Sequence, residues 1–254
     1  MNCSRLSYEK FITQFNDTSD LCMAEAFRQT SLAKAHNRIL TRTHYDKSEM
    51  VIRELMIFGE TEYEQKVHVV DLDKLDRRTK KYRDAMKAAQ GKQLIGTMEI
   101  NEAKRVYGPF MEEHGGILNG IFRNPSASGV GISWNTKMPQ VAWLPKWDGV
   151  NLVNIEFCNR LSKNKLMEHI IENGIHVKIA MQCAGLQAEN VRDINTYIVF
   201  VSREDPVEFA IASVSDTLRK TGNQDYERTL TRYADAFRRS HFPTITEEQG
   251  IFAL

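Results

Sequence analysis

The feature that most constrains this chain lies between Leu72 and Ala89. Leu72, Leu75, Thr79, Tyr82, Met86 and Ala89 recur at gaps alternating between three and four, which places them on one face of a helix. Asp71, Asp73 and Asp76 stand near its start, where the positive end of the helix dipole favours carboxylates. Lys87 and Lys92 stand near its end, and Gly91 supplies a residue able to turn left-handed and stop it. The outward face holds Arg77, Arg78, Lys80, Lys81, Arg83 and Lys87. From Lys74 to Lys92 there are eight basic and two acidic residues on a chain whose formal net charge is only +1. That is a local patch and not an average, and a patch of this kind binds phosphates by releasing their counterions. The competing reading is a solvated charged face.

Around this segment the pattern predicts further helices and a few short strands. Ser19 or Asp20 caps a helix with an apolar stripe through Leu21, Ala24, Phe27, Leu32, Ala35 and Ile39, and Arg28, Lys34, Arg38 and Arg42 on its other faces. Met50–Phe58 and Lys66–Val70 read as a hairpin around residues 59–62. Leu94–Ile100 reads as extended. Asn101 then caps a short helix through Lys104, Arg105 and Tyr107, interrupted at Gly108-Pro109. Val150–Phe157 is a buried strand or helix start, Asn164–Asn173 a helix closed by Gly174, and Thr196–Val201 a strand. The last helix runs from about Asp225 to Arg239. Tyr226, Leu230, Tyr233 and Phe237 share one face, and Arg228, Arg232, Arg238 and Arg239 lie elsewhere.

Residues 115–149 collect glycines, prolines and all three tryptophans, Trp134, Trp143 and Trp147, and read as a seam. The expected fold is therefore mainly α with a few short β-strands, in two lobes with a central seam and terminal arms. The expected divisions are an arm (1–18), an N-terminal lobe (19–122), the seam (123–149), a C-terminal lobe (150–242) and a second arm (243–254).

Catalytic chemistry finds little support in the sequence. The seven histidines show no zinc-ligand spacing, and Cys3, Cys22, Cys158 and Cys183 form no C-x-x-C pair. The run Gly129-Val130-Gly131-Ile132-Ser133 precedes no helical pattern, so it is no phosphate loop. There is no G-x-S-x-G. Asp71 and Asp73 with Glu99 and Lys104 can be assembled into a metal-nuclease set, but the helix dipole already accounts for the aspartates. The expectation is no catalytic site, no metal and no cofactor. No apolar run reaches the ~18 residues of a membrane span, and the N-terminus lacks a signal-peptide pattern. A cytoplasmic setting is expected.

The stretch Ile121-Phe122-Arg123-Asn124-Pro125-Ser126-Ala127-Ser128-Gly129-Val130-Gly131-Ile132-Ser133-Trp134 resembles one in orthobunyavirus-type nucleoproteins. Asn159-Arg160-Leu161-Ser162 is similar to a motif in emaravirus nucleoproteins. The resemblance implies a two-lobed, mainly helical protein holding single-stranded RNA in a basic cleft, with terminal arms linking protomers and Trp134 near the RNA. The expected function is thus an RNA-coating nucleoprotein of a segmented negative-strand virus, in host cytoplasm and virion. Its partners would be single-stranded RNA, other copies of itself and the viral polymerase. The alternative is a viral matrix, coat or movement-type protein acting by self-assembly or at a membrane surface. The residues expected to contact RNA are Arg38, Arg77, Arg78, Lys80, Lys81, Arg83, Lys104, Arg105, Trp134, Arg228 and Arg232, with Tyr107 a further candidate for base stacking.

Overall fold

In Ile175–Ala188 almost every residue from Ile175 to Leu186 is buried, including His176, Lys178 and Gln182. A helix apolar on all sides is stable only when it is enclosed, and the rest of its unit supplies the enclosure. The structure, a computed structural model, describes residues 4–5, 11, 18–29, 31–41, 47–71, 78–121, 128–244 and 247. The strands in chain order are β1 (Ser4–Arg5), β2 (Val67–Val70), β3 (Gln93–Gly96), β4 (Ser128–Asn135), β5 (Pro139–Trp147), β6 (Asn151–Cys158), β7 (Asn195–Ser202) and β8 (Phe209–Ser213). The helices are α1 (Asp20–Arg28), α2 (Leu32–Thr41), α3 (Lys47–Phe58), α4 (Glu60–Lys66), α5 (Lys80–Ala88), α6 (Thr97–Ile121), α7 (Lys163–Glu172), α8 (Ile175–Ala188) and α9 (Asp216–Arg239). Residues 1–44 and 127–254 form one compact unit, and residues 45–126 form the other.

The larger unit is built on a six-stranded sheet of order β1-β4-β5-β6-β7-β8. Only β6 and β7 are parallel, and α7 and α8 connect them. Leu152, Val153, Asn154 and Ile155 are all buried, as expected of a central strand covered on both faces. One apolar core lies between the sheet and α7–α8, with Leu144, Leu152, Phe200, Ile170, Ile179 and Leu186 among its members. A second core joins α8 to α1, α2 and α9 through Met23, Leu32, Val177, Met181, Leu230 and Tyr233. Phe11 is fully buried, its ring 6.3 Å from that of Trp143. The smaller unit pairs β2 with β3 in parallel, with α5 between them in sequence, and packs α6 against α3.

The expectation of a mainly helical protein is overturned: the fold is α/β. Most of the expected arms, 1–18 and 243–254, lies outside the described residues. Residues 128–147 of the expected seam are two adjacent strands of the sheet. The glycines and prolines there serve strand and turn geometry. Gly149 has φ +105° in the β5–β6 turn, where Asp148 Oδ1 accepts from the amides of Val150 (3.0 Å) and Asn151 (2.7 Å). Trp143 and Trp147 are core residues.

Other boundaries also shift. Met50–Phe58 lies in α3, not in a hairpin strand, because its apolar residues suit a helical stripe as well as a strand. Asp20–Arg28 and Leu32–Thr41 are two helices, not one. α6 runs unbroken through Gly108-Pro109. α9 starts at Asp216, where Ser215 Oγ accepts from the amide of Leu218. The basic helix is shorter than its pattern suggests. It begins after Thr79, whose hydroxyl accepts from the amide of Tyr82 at 3.1 Å, and Leu72–Arg77 lie outside the described residues.

Two backbones meet closely where α9 crosses α8. A Cβ added at Gly222 would stand 2.6 Å from the carbonyl oxygen of His176. Gly222→Ala should therefore destabilise the fold by about 1–3 kcal/mol, although an open helix site would gain ~1 kcal/mol from the same change. Urea denaturation checks this, and a neutral or stabilising result would contradict the close approach.

Candidate functional site

Spacing places four polar side chains in the middle of the larger unit. Asn154 and Glu156 are two apart on β6 and share a face of the strand. Lys178 and Gln182 are four apart on α8 and share a face of the helix. α8 lies over β5, and these pairs meet across the layer. Gln182 Nε2 donates to Asp20 Oδ2 (2.8 Å) and to the carbonyl of Trp143 (2.9 Å). The Asn154 and Gln182 amides exchange hydrogen bonds, at 2.8 Å from Asn154 Nδ2 to Gln182 Oε1 and 3.2 Å in return. Lys178 Nζ is hydrogen-bonded to Glu156 Oε1. Asp20 is the first residue of α1, capped by Ser19, whose Oγ accepts from the amide of Cys22 at 3.2 Å.

Asp20, Asn154 and Gln182 are each 1% exposed or less, so water does not satisfy them and their partners must. Burial raises the Asp20 carboxyl from an ordinary 3.8 to about 6, against the lowering effect of the Lys178 charge and the hydrogen bonds from Gln182, the Trp143 amide and the Leu21 amide. A carboxyl with a raised folded pKa binds its proton more tightly when folded. Its contribution to stability is therefore fullest below the unfolded value and is lost as pH rises through about 6.

Four of the ten basic residues expected to meet RNA form ion pairs within the protein. Arg38 reaches Glu25 at 3.2 Å, and Arg228 reaches Asp225 at 2.6 Å. Lys104 holds both Glu60 (2.5 Å) and Glu64 (3.0 Å), and Arg105 reaches Glu102 at 2.9 Å. Arg232 is exposed on α9. Trp134 is partly buried and packs against both cores, close over Gly185. Tyr107 Oη lies near Gly59. Arg77 is outside the described residues, and Arg78 is exposed just before α5.

α5 differs from all of these. It buries no residue, and Lys80, Lys81, Arg83 and Lys87 are exposed and in no ion pair among the described residues. Asp84 is its single acid.

The fold has a counterpart among solved structures. The chain is similar to a crystal structure described as "Putative exonuclease" from Eubacterium rectale. The TM-score is 0.56 at 10% identity, covering 92% of this chain and 88% of that one. At that identity the likeness is one of fold. No protein-family profile and no curated protein matches the chain.

Sequence reading missed the Asp20–Asn154–Glu156–Lys178–Gln182 centre. Its signal was present as polar residues at period two in an apolar strand and at period four in an apolar helix. Recognising it needed the knowledge that both elements are enclosed.

Gln182→Ala leaves Asp20 and Asn154 each short of a partner. It should cost about 3 kcal/mol, at roughly 1–3 kcal/mol per buried orphan, measured by chemical denaturation. Carbon-detected NMR of the Asp20 carboxyl should titrate near pH 6. A midpoint near 4 would contradict its enclosure.

Proposed function

We propose that the chain binds single-stranded RNA through α5 and does not cleave it. The observation that carries this reading is a nine-residue helix that buries nothing and presents four cations without ion-pair partners among the described residues. Helices this short draw their stability in proteins chiefly from packing of an apolar face, and on α5 that face, Tyr82, Ala85 and Met86, is only partly buried. Such a surface suits a phosphate backbone. The likeness of the fold to a protein described as an exonuclease supports a polynucleotide as the partner class. Coating of genomic RNA by many copies, as a viral nucleoprotein, is the fuller form of the same reading.

The second reading is a nuclease, favoured by the fold likeness and by two carboxylates, Asp20 and Glu156, near Lys178. Metal-assisted phosphodiester chemistry needs carboxylate oxygens directed at a cation. Here Gln182 and Lys178 already occupy them, so the donor set fits a structural centre better than a metal site.

Reversing charge at Lys80, Lys81, Arg83 and Lys87 should weaken binding of a single-stranded RNA at least tenfold at low salt. It should also flatten the slope of log affinity against log salt by about 3, at ~0.7 per lost phosphate contact. Filter binding over a salt series reads both quantities. An unchanged slope would remove α5 from the interface. Arg105→Glu, at a residue paired within α6, is the control and should change little.

A further inference from the structure

At the carboxyl ends of the parallel strands β6 and β7 a cavity of about 360 Å³ opens. Open α/β sheets commonly bind ligands outside the carboxyl ends of their parallel strands. Arg160 enters the cavity from the end of β6 and Arg203 from the end of β7. The Arg203 amide donates to the Cys158 carbonyl at 2.9 Å and ties the two strand ends together. The far wall is one face of α7, with residues spaced by three, one and three: Lys165, Glu168, His169 and Glu172.

These walls carry charges of two kinds. Lys165 and Glu168 neutralise each other at 2.5 Å. Arg160 and Glu172 are exposed and in no ion pair among the described residues. His169 is fixed: Asn173 Nδ2 donates to its carbonyl (2.9 Å) and lies 3.1 Å from its Nδ1, and its ring meets Phe200 edge-on with centroids 6.4 Å apart. A guanidinium fork matches phosphate oxygens. A carboxylate accepts only and therefore suits hydroxyl donors. Volumes from ~300 Å³ upward hold single small ligands, so the space admits one nucleotide and no strand.

We propose that this cavity binds one nucleoside 5′-monophosphate unit, its phosphate on Arg160 and Arg203 and its ribose hydroxyls on Glu172. The carboxylates disfavour additional phosphates, so a monophosphate binds more tightly than the triphosphate. The unit is either a free nucleotide or the 5′-phosphorylated end of RNA. Only the second form rests on the RNA-binding reading above.

Calorimetry with the full chain at low salt tests the site with AMP, ATP, adenosine and inorganic phosphate. It adds a short single-stranded RNA bearing either a 5′-phosphate or a 5′-hydroxyl. AMP is expected to bind saturably, at least tenfold more tightly than adenosine, phosphate or ATP. Arg160→Ala and Glu172→Ala, both at exposed positions, are each expected to weaken AMP at least tenfold. A tenfold preference for the 5′-phosphorylated RNA identifies the strand end as the source, and equal binding identifies the free nucleotide. The α5 charge-reversed variant is expected to retain AMP binding, which separates failure of this site from failure of the RNA-binding reading. No saturable AMP binding, or AMP binding unchanged in both single variants, overturns the proposal.

Discussion

The larger unit depends on enclosing α8. The sheet with α7 covers one side of this helix, and α1, α2 and α9 cover the other, so two apolar cores share it as a common wall. Each fully buried Leu, Ile or Met on it contributes roughly 1.5–3 kcal/mol. The same enclosure leaves Gln182 almost no access to bulk water and Lys178 little. Leaving either unpaired would offset much of that gain. The fold answers by bringing Asp20, Asn154, Glu156 and the Trp143 carbonyl to them. The entry of α1, the register of β6 and the position of β5 are thus coupled through one set of hydrogen bonds. A second buried pair, His176 Nε2 to Asp225 Oδ2 at 3.1 Å, joins α8 to α9.

Much of the secondary structure was legible in the sequence. Thr196–Val201 is strand, and Gly174 at φ +65° closes the region after α7. The expected final helix lies within α9. The sheet was not legible, for a physical reason. A strand buried on both faces, such as β6, shows no alternation, and a helix buried all round, such as α8, shows no stripe. The elements at the centre of the fold therefore carry the weakest periodic signals. Glycine, proline and tryptophan in residues 128–147 suggested a seam because turn residues and large aromatics mark exposed loops as often as tight hairpins. The basic set of Lys80, Lys81, Arg83 and Lys87 was legible, because an exposed face follows from charge pattern alone. That Arg38, Lys104, Arg105 and Arg228 are paired within the protein depends on which acids lie beside them in space.

Charge is distributed in two ways in this protein. In the larger unit the carboxylates of the centre are answered internally by Gln182 and Lys178, and several surface groups are answered by ion pairs. In the smaller unit α5 presents cations with no internal answer among the described residues. The first arrangement serves stability, and the second suits either solvent or an anionic partner. Under the proposed reading an RNA strand is that partner and the carboxylates at the centre are structural.

The measurement that tests this most directly follows end-labelled single-stranded RNA incubated with the purified chain and Mg²⁺ or Mn²⁺. Retention on the protein and strand length are read from the same sample. The account predicts RNA retained at low salt, released at high salt and full length throughout. Progressive shortening that depends on the metal and disappears in Asp20→Ala or Glu156→Ala would contradict it and make the buried centre a nuclease site.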